Sequence, residues 1–267
     1  MKVVILPDAR SVCSLAVDIL IRKVRQNPAA VLGLATGRTM EAIYAGVSER
    51  HRRGDVDFSK ITSFNLDEYV GLSKTHPQSY SYYMREKLFD HVGVSDGRGR
   101  IPAGDAADPD QEAAAYDRAI VEKGGIDLQL LGLGENGHIG FNEPLSGLTT
   151  RTRVVALDEA TLTQNAEMFS GDPEGVPKRA ITMGIGTILE AKSTVLVATG
   201  DAKATAVAAS LEGALSSAVP GSALQMHREC LVLLDDKAAS GLKCRSSIEW
   251  QMKHDTELLD LLRSYYL

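Results

Sequence analysis

The sequence is short of cysteine, has no block of positive charge, and contains no long apolar run. Cys13, Cys230 and Cys244 form an odd, scattered set without ligand spacing, which argues against a disulfide framework and for a reducing, cytoplasmic setting. No apolar stretch approaches the roughly 18 residues that a membrane span needs. The N-terminal apolar run ends at Leu6 and is too short for the core of a signal peptide. Against 35 acidic residues there are 29 Lys and Arg, a net charge of −6, so wrapping nucleic acid or lying on an anionic membrane is not expected. A local basic pocket remains compatible with that balance. The six histidines, at 51, 76, 91, 138, 227 and 254, include no two at ligand spacing, so no metal is expected. No Gly/Ser linker, charge run or repeat divides the 267 residues, which are expected to form a single domain, 1–267. The Walker loop and the three-glycine dinucleotide fingerprint are also missing, which disfavours nucleotide binding.

What is present is an alternation of short apolar runs and amphipathic stretches. Strands are predicted at 3–6, 30–34, 61–64, 126–133, 151–156, 194–198 and 230–234. Helices are predicted at 11–26, from the turn at 35–39 to about 53, near 79–89 and 110–123, from 202 to about 211, and as one final helix over 246–265. Near-continuous apolar strands separated by amphipathic helices point to an α/β fold with a doubly wound, mostly parallel, Rossmann-like sheet. Such sheets bind ligands beyond the carboxyl ends of their strands, at the topological switch point.

Three strand ends carry polar clusters. The turn Ala35-Thr36-Gly37-Arg38-Thr39 joins a strand to a helix N-terminus, where backbone N–H groups and hydroxyls suit an anion. It is equally an ordinary βα turn with Thr39 as N-cap. Asp67-Glu68 follows the third strand on an extended segment, so one carboxylate can face the crevice while the other is bound into the scaffold. The plainer alternative is a solvated loop with one acid capping the next helix. The third cluster, Gly134-Glu135-Asn136-Gly137-His138-Ile139-Gly140-Phe141-Asn142-Glu143-Pro144, sets a histidine, a residue type that can pass protons in both directions, among glycines. Glu143 lies five residues on and can fix the imidazole tautomer.

Taken together, Phe64-Asn65-Leu66-Asp67-Glu68-Tyr69, His76-Pro77-Gln78-Ser79-Tyr80 and Gly137-His138-Ile139-Gly140-Phe141-Asn142-Glu143-Pro144 resemble glucosamine-6-phosphate deaminases. The likeness extends from the Thr36-Gly37 turn to Gly184-Ile185-Gly186-Thr187 and Lys203. The Phe-Asn-Glu-Pro ending favours the deaminases over the related 6-phosphogluconolactonases, where a Ser-Leu-Phe-Pro type ending is usual. The resemblance implies a cofactor-free conversion of glucosamine 6-phosphate and water to fructose 6-phosphate and ammonia. It implies that His138, supported by Glu143 and Asn136, assists ring opening and that Asp67 takes the C2 proton. Asn136 cannot accept a catalytic proton, so its implied part is to orient groups by hydrogen bonding. The phosphate is then expected on Thr36, Gly37, Arg38 and Thr39, with Lys203 as a point charge.

Two positions depart from the family pattern. Glu167 stands in a lid-like segment where an arginine toward the phosphate is usual, and Arg38 stands where Gly or Ser is usual. An ionised Glu167 beside a phosphate would repel it, so the lid either turns it outward or pairs it with a cation such as Arg38. Arg38 is expected to supply the missing guanidinium. Regulated members place an arginine and a lysine on the strand after the catalytic loop; here Arg153 is kept and Val155 replaces the lysine, so activation by N-acetylglucosamine 6-phosphate is not expected. Galactosamine 6-phosphate is the alternative substrate. A non-enzymatic sugar-phosphate sensor is disfavoured by the lack of a helix-turn-helix ahead of the first strand and of a basic footprint. A homo-oligomer is compatible with the sequence.

Overall fold

The computed structural model describes residues 1–266. Seven strands form one parallel sheet: β1 (Lys2–Leu6), β2 (Val31–Leu34), β3 (Thr62–Asn65), β5 (Gly99–Arg100), β6 (Leu128–Gly132), β9 (Thr194–Ala198) and β10 (Cys230–Asp235). Their spatial order is β1-β10-β9-β6-β2-β3-β5, with every pairing parallel. All five residues of β9 are buried, so both faces of the sheet are covered there, as its unbroken apolar sequence requires. The chain leaves β2 toward β3 and leaves β6 toward β9, in opposite directions. The switch point of the doubly wound sheet therefore lies between the carboxyl ends of β2 and β6.

Local signals set the helix limits. The Asp8 side chain accepts from Ser11 N at 2.8 Å and opens the helix Ala9–Gln26, which stops at Asn27 before Pro28. Ser79 caps the helix Tyr80–Met84, which continues as a π-turn over Arg85–Phe89. The predicted final helix is in fact two, Arg245–His254 and Thr256–Tyr266. Asp255 is extended between them, and its carboxylate caps the second helix by accepting from Glu257 N and Leu258 N. Lys2 pairs with the same carboxylate at 2.7 Å, which fixes the break against β1.

Sequence patterning missed a second sheet. The segment β4 (Asp67–Tyr69) pairs antiparallel with β8 (Arg179–Thr182), and β8 pairs antiparallel with β7 (Arg153–Ala156). The strand predicted at 151–156 thus lies outside the parallel sheet. A small aromatic core of Tyr69, Tyr80 and Phe141, joined by Leu157, Ala166 and Val176, lies under this sheet and under the segment 159–176. It fastens that segment over the switch point.

Candidate active site

A cavity of about 750 Å³ opens at the carboxyl ends of β2 and β6. All three strand-end clusters meet in it. Thr36, Gly37, Arg38, Thr39, Asp67, His138 and Lys203 line its wall. Asn136 and Glu143 do not line it; they stand behind His138 and hold it.

The turn after β2 enters the helix Arg38–Arg52 through Gly37, whose φ of 116° is one that L side chains rarely adopt. Gly37, and not Thr39, is therefore the N-cap. The capping reading of Thr39 fails because Thr39 already lies inside the first turn, where it faces the cavity. The first N–H groups of that helix have no intrahelical partner, so they form an anion-receptive rim. The Tyr83 hydroxyl donates to Gly37 O at 2.9 Å and holds the turn from the side. Opposite the turn, Lys203 enters from the start of the helix Ala204–Leu211, within 3.9 Å of Glu135. Burial lowers the Lys203 pKa, and Glu135 opposes that shift. Arg38 is paired with Glu167, which sits on the short 3₁₀ segment Ala166–Phe169. This is one of the two arrangements that an ionised Glu167 allows, and both side chains remain exposed.

Asp67 and Glu68 divide their roles as the extended backbone requires. The Glu68 carboxylate is turned inward and accepts from Tyr69 N, Tyr80 N and Ser81 N, each at 2.9 Å. It thereby satisfies N–H groups at the start of the Tyr80–Met84 helix that have no partner within the helix. Asp67 points into the cavity and is 6% exposed. Burial, and then the Glu68 charge, push its carboxyl up to about 8, while the Phe141 N–H pulls the other way. Burial raises Glu68 as well, but its three N–H partners hold it the more acidic of the two.

His138 is placed by its own loop. Its backbone N–H donates to Asn136 Oδ1 at 3.1 Å, and Asn136 Nδ2 donates to Glu143 Oε2 at 2.9 Å. Glu143 Oε2 lies 3.4 Å from His138 Nδ1, near enough to pair with the ring electrostatically but without a hydrogen bond to it. A Cβ on Gly134 would come within 2.3 Å of His138 Nε2, so only glycine leaves room for the ring there. Burial would raise the Glu143 carboxyl, but the contacts to His138, Thr161 and Asn136 outweigh it and hold it down to about 2. Glu143 is thus an anion whose remaining oxygen accepts from Thr161 Oγ1.

Sequence reasoning did not find Thr161, nor Asn165, whose amide donates to the Tyr69 hydroxyl at 2.9 Å from the segment above the cavity. Thr161 reaches Glu143 across 18 positions, and nothing local in Glu159–Asn165 announces it. Asn142 lies in the same loop as His138 but is structural: its amide donates to Ile139 O and Met183 O, and its oxygen accepts from Arg153. Among the described residues no three His, Cys, Asp or Glu side chains converge as a metal site would require. No helix among them is long and apolar enough to cross a membrane.

Residues 8–233 match the family described as glucosamine-6-phosphate isomerases/6-phosphogluconolactonase. A glucosamine-6-phosphate deaminase of Cellvibrio japonicus is 50% identical over 262 residues, covering 98% of this chain and 99% of the relative. Glucosamine-6-phosphate deaminase 2 of Bacillus subtilis is 47% identical, covering 92% and 99%. A solved structure of a monomeric glucosamine-6-phosphate deaminase superposes with a TM-score of 0.88 at 42% identity, over 90% of this chain and all of that one. The 6-phosphogluconolactonase of Trypanosoma cruzi shares the fold, with a TM-score of 0.72 at 19% identity, over 91% of this chain and 97% of that one.

Proposed function

We propose that this chain, which belongs to the glucosamine-6-phosphate isomerase/6-phosphogluconolactonase family, converts glucosamine 6-phosphate and water to fructose 6-phosphate and ammonia. One observation carries the reading. A buried carboxylate, Asp67, and an imidazole backed by a carboxylate, His138, face one cavity whose rim holds a helix N-terminus and a lysine.

Each residue then has a task its surroundings suit. His138, with the Glu143 carboxylate beside its Nδ1, passes the proton that opens the pyranose ring. Asp67 removes the proton from C2 of the open aldose, giving an enolamine that is reprotonated at C1. The electron pair freed at C2 forms the C1–C2 double bond of the enolamine as the C1 carbonyl π pair moves onto O1, which takes up a proton. Protonation at C1 moves the unsaturation to the C2–N bond, and water adds to that imine and expels ammonia. The substrate ammonium beside Asp67 favours the carboxylate form that burial disfavours, so substrate binding prepares the base. The turn at Thr36, Gly37, Arg38 and Thr39 takes the phosphate together with Lys203. These are point-charge and N–H contacts of the kind a phosphate dianion requires.

The relatives named as glucosamine-6-phosphate deaminases favour that substrate over galactosamine 6-phosphate. The reading places the enzyme in the cytoplasm, acting on a small phosphorylated sugar. Ammonia and ketose release, measured side by side on glucosamine 6-phosphate, galactosamine 6-phosphate and unphosphorylated glucosamine, tests it. The highest kcat/KM is expected on glucosamine 6-phosphate. A preference for the unphosphorylated sugar would overturn the phosphate assignment.

A further inference from the structure

Two cations line the cavity, and each is already occupied by a carboxylate that lines it too. Lys203 Nζ lies 3.9 Å from Glu135 Oε1, and Arg38 is paired with Glu167. The cations differ in setting: the Lys203 side chain is 21% exposed and that of Arg38 84%. The two carboxylates are alike, with side chains 57% and 73% exposed at the rim. A solvated glutamate can swing outward with no loss of packing, whereas Lys203 is held by its surroundings. The same two cations are the ones that the proposed phosphate site uses.

We propose that Glu135 and Glu167 are specificity-determining residues that occupy Lys203 and Arg38 in the empty site, so that a ligand must displace both. A phosphate dianion can do so, because it offers two charges and three acceptor oxygens to both cations at once. A neutral sugar hydroxyl cannot displace an ion-paired carboxylate from either. The pair of glutamates therefore weakens binding of every anion somewhat and binding of unphosphorylated sugars most. The inference rests on the proposed phosphate site and adds the residues that set its threshold.

The consequence is a gain of affinity on removing charge. Glu135→Gln and Glu167→Gln keep length and a hydrogen-bond acceptor but lose the anion. Exposed ion pairs are worth about 0.2–1 kcal/mol. Each variant is therefore expected to lower KM for glucosamine 6-phosphate, and Ki for inorganic phosphate as a competitive inhibitor, about 1.4- to 5-fold. Glu135→Gln should give the larger change, because its partner is the less solvated cation. The two effects should multiply in the double variant and shrink at high salt, as a screened charge effect does. Glu249→Gln, an exposed charge change on the Arg245–His254 helix, should leave both constants unchanged.

Inorganic phosphate Ki measured on both glutamine variants and on Lys203→Met, with thermal unfolding to confirm the fold, decides the matter. Lys203→Met should raise Ki while the glutamine variants lower it. If Lys203→Met raises Ki but both glutamine variants leave it unchanged or raise it, the competition is disproved and the phosphate site stands. If Lys203→Met leaves Ki unchanged, the phosphate site itself is misplaced and the competition falls with it.

Discussion

Asp67 and Glu68 are consecutive residues whose carboxylates serve opposite sides of one three-residue strand: Asp67 faces the cavity and Glu68 accepts three backbone N–H groups. The buried Glu68 charge is part of what raises the Asp67 carboxyl. Because Asp67 is pushed up to about 8, the acid limb of kcat/KM for the free enzyme is expected far above the ordinary aspartate range, toward 8. The same shift has a sign for stability. A carboxyl raised on folding contributes stability that is fully present below its ordinary value and lost as pH rises through about 8. A kcat/KM profile flat from pH 5 to 9 would contradict this account of Asp67.

Glu68→Gln should separate the two jobs. A glutamine has one acceptor oxygen, so with that oxygen kept on Tyr69 N and Tyr80 N its NH2 faces Ser81 N and one part-buried charge-assisted hydrogen bond is lost, a cost of about 1.5–3 kcal/mol. Removing the neighbouring charge should also lower the acid limb. Chemical denaturation and a pH–rate profile on the same variant check both. An unchanged limb with lowered stability would mean that burial alone sets Asp67.

The three polar clusters were legible because each is a short contiguous motif at the end of an apolar strand, and the parallel sheet dictates that strand ends meet. What escaped the sequence was set by distance or by degenerate patterning. Arg179-Ala180-Ile181-Thr182 is too short to declare a strand, and it becomes one only by pairing with Asp67–Tyr69 and Arg153–Ala156. The break at Asp255 is invisible to periodicity, since apolar residues continue on both sides of it. Thr161 has no signal of its own, because its partner Glu143 is fixed only once the segment at 159–165 folds over the loop. Thr39 is one of the two readings of the turn because hydroxyl residues favour a cap, but Gly37, at positive φ, takes that place.

Gly134 offers a test of ring placement that leaves the His138 side chain itself unaltered. Gly134→Ala puts a methyl within 2.3 Å of His138 Nε2, so the imidazole must move. Turnover is expected to fall at least ten-fold with little change in KM, because the displaced ring fails in proton transfer rather than in binding. Steady-state kinetics check this, and unaltered kcat would show that the ring position is not critical.

Glu143 should give the fold an acid-sensitive element. Its carboxyl is held down to about 2, so its contribution to stability is present above the ordinary glutamate value and lost as pH falls through about 2. Thr161→Val removes a donor to that carboxylate and should move the acid-unfolding midpoint upward in pH. Circular dichroism across an acid titration measures it; coincident curves for the two proteins would refute the contribution of Thr161.

Arg153 is committed to Asn142 Oδ1 at 2.8 Å and to Ser146 Oγ at 3.2 Å, and Val155 supplies no cation on the same strand. Substrate curves are therefore expected to be hyperbolic, with or without N-acetylglucosamine 6-phosphate. A sigmoidal curve that this ligand makes hyperbolic would show otherwise.

The most direct test of the central claim is proton transfer from C2 by Asp67. With glucosamine 6-phosphate deuterated at C2, the enzyme should turn over more slowly than with the protiated sugar. Asp67→Asn, which keeps shape but cannot accept the proton, should lose about 10²–10⁴ in kcat. Ammonia release by Asp67→Asn at the unsubstituted rate would contradict the account.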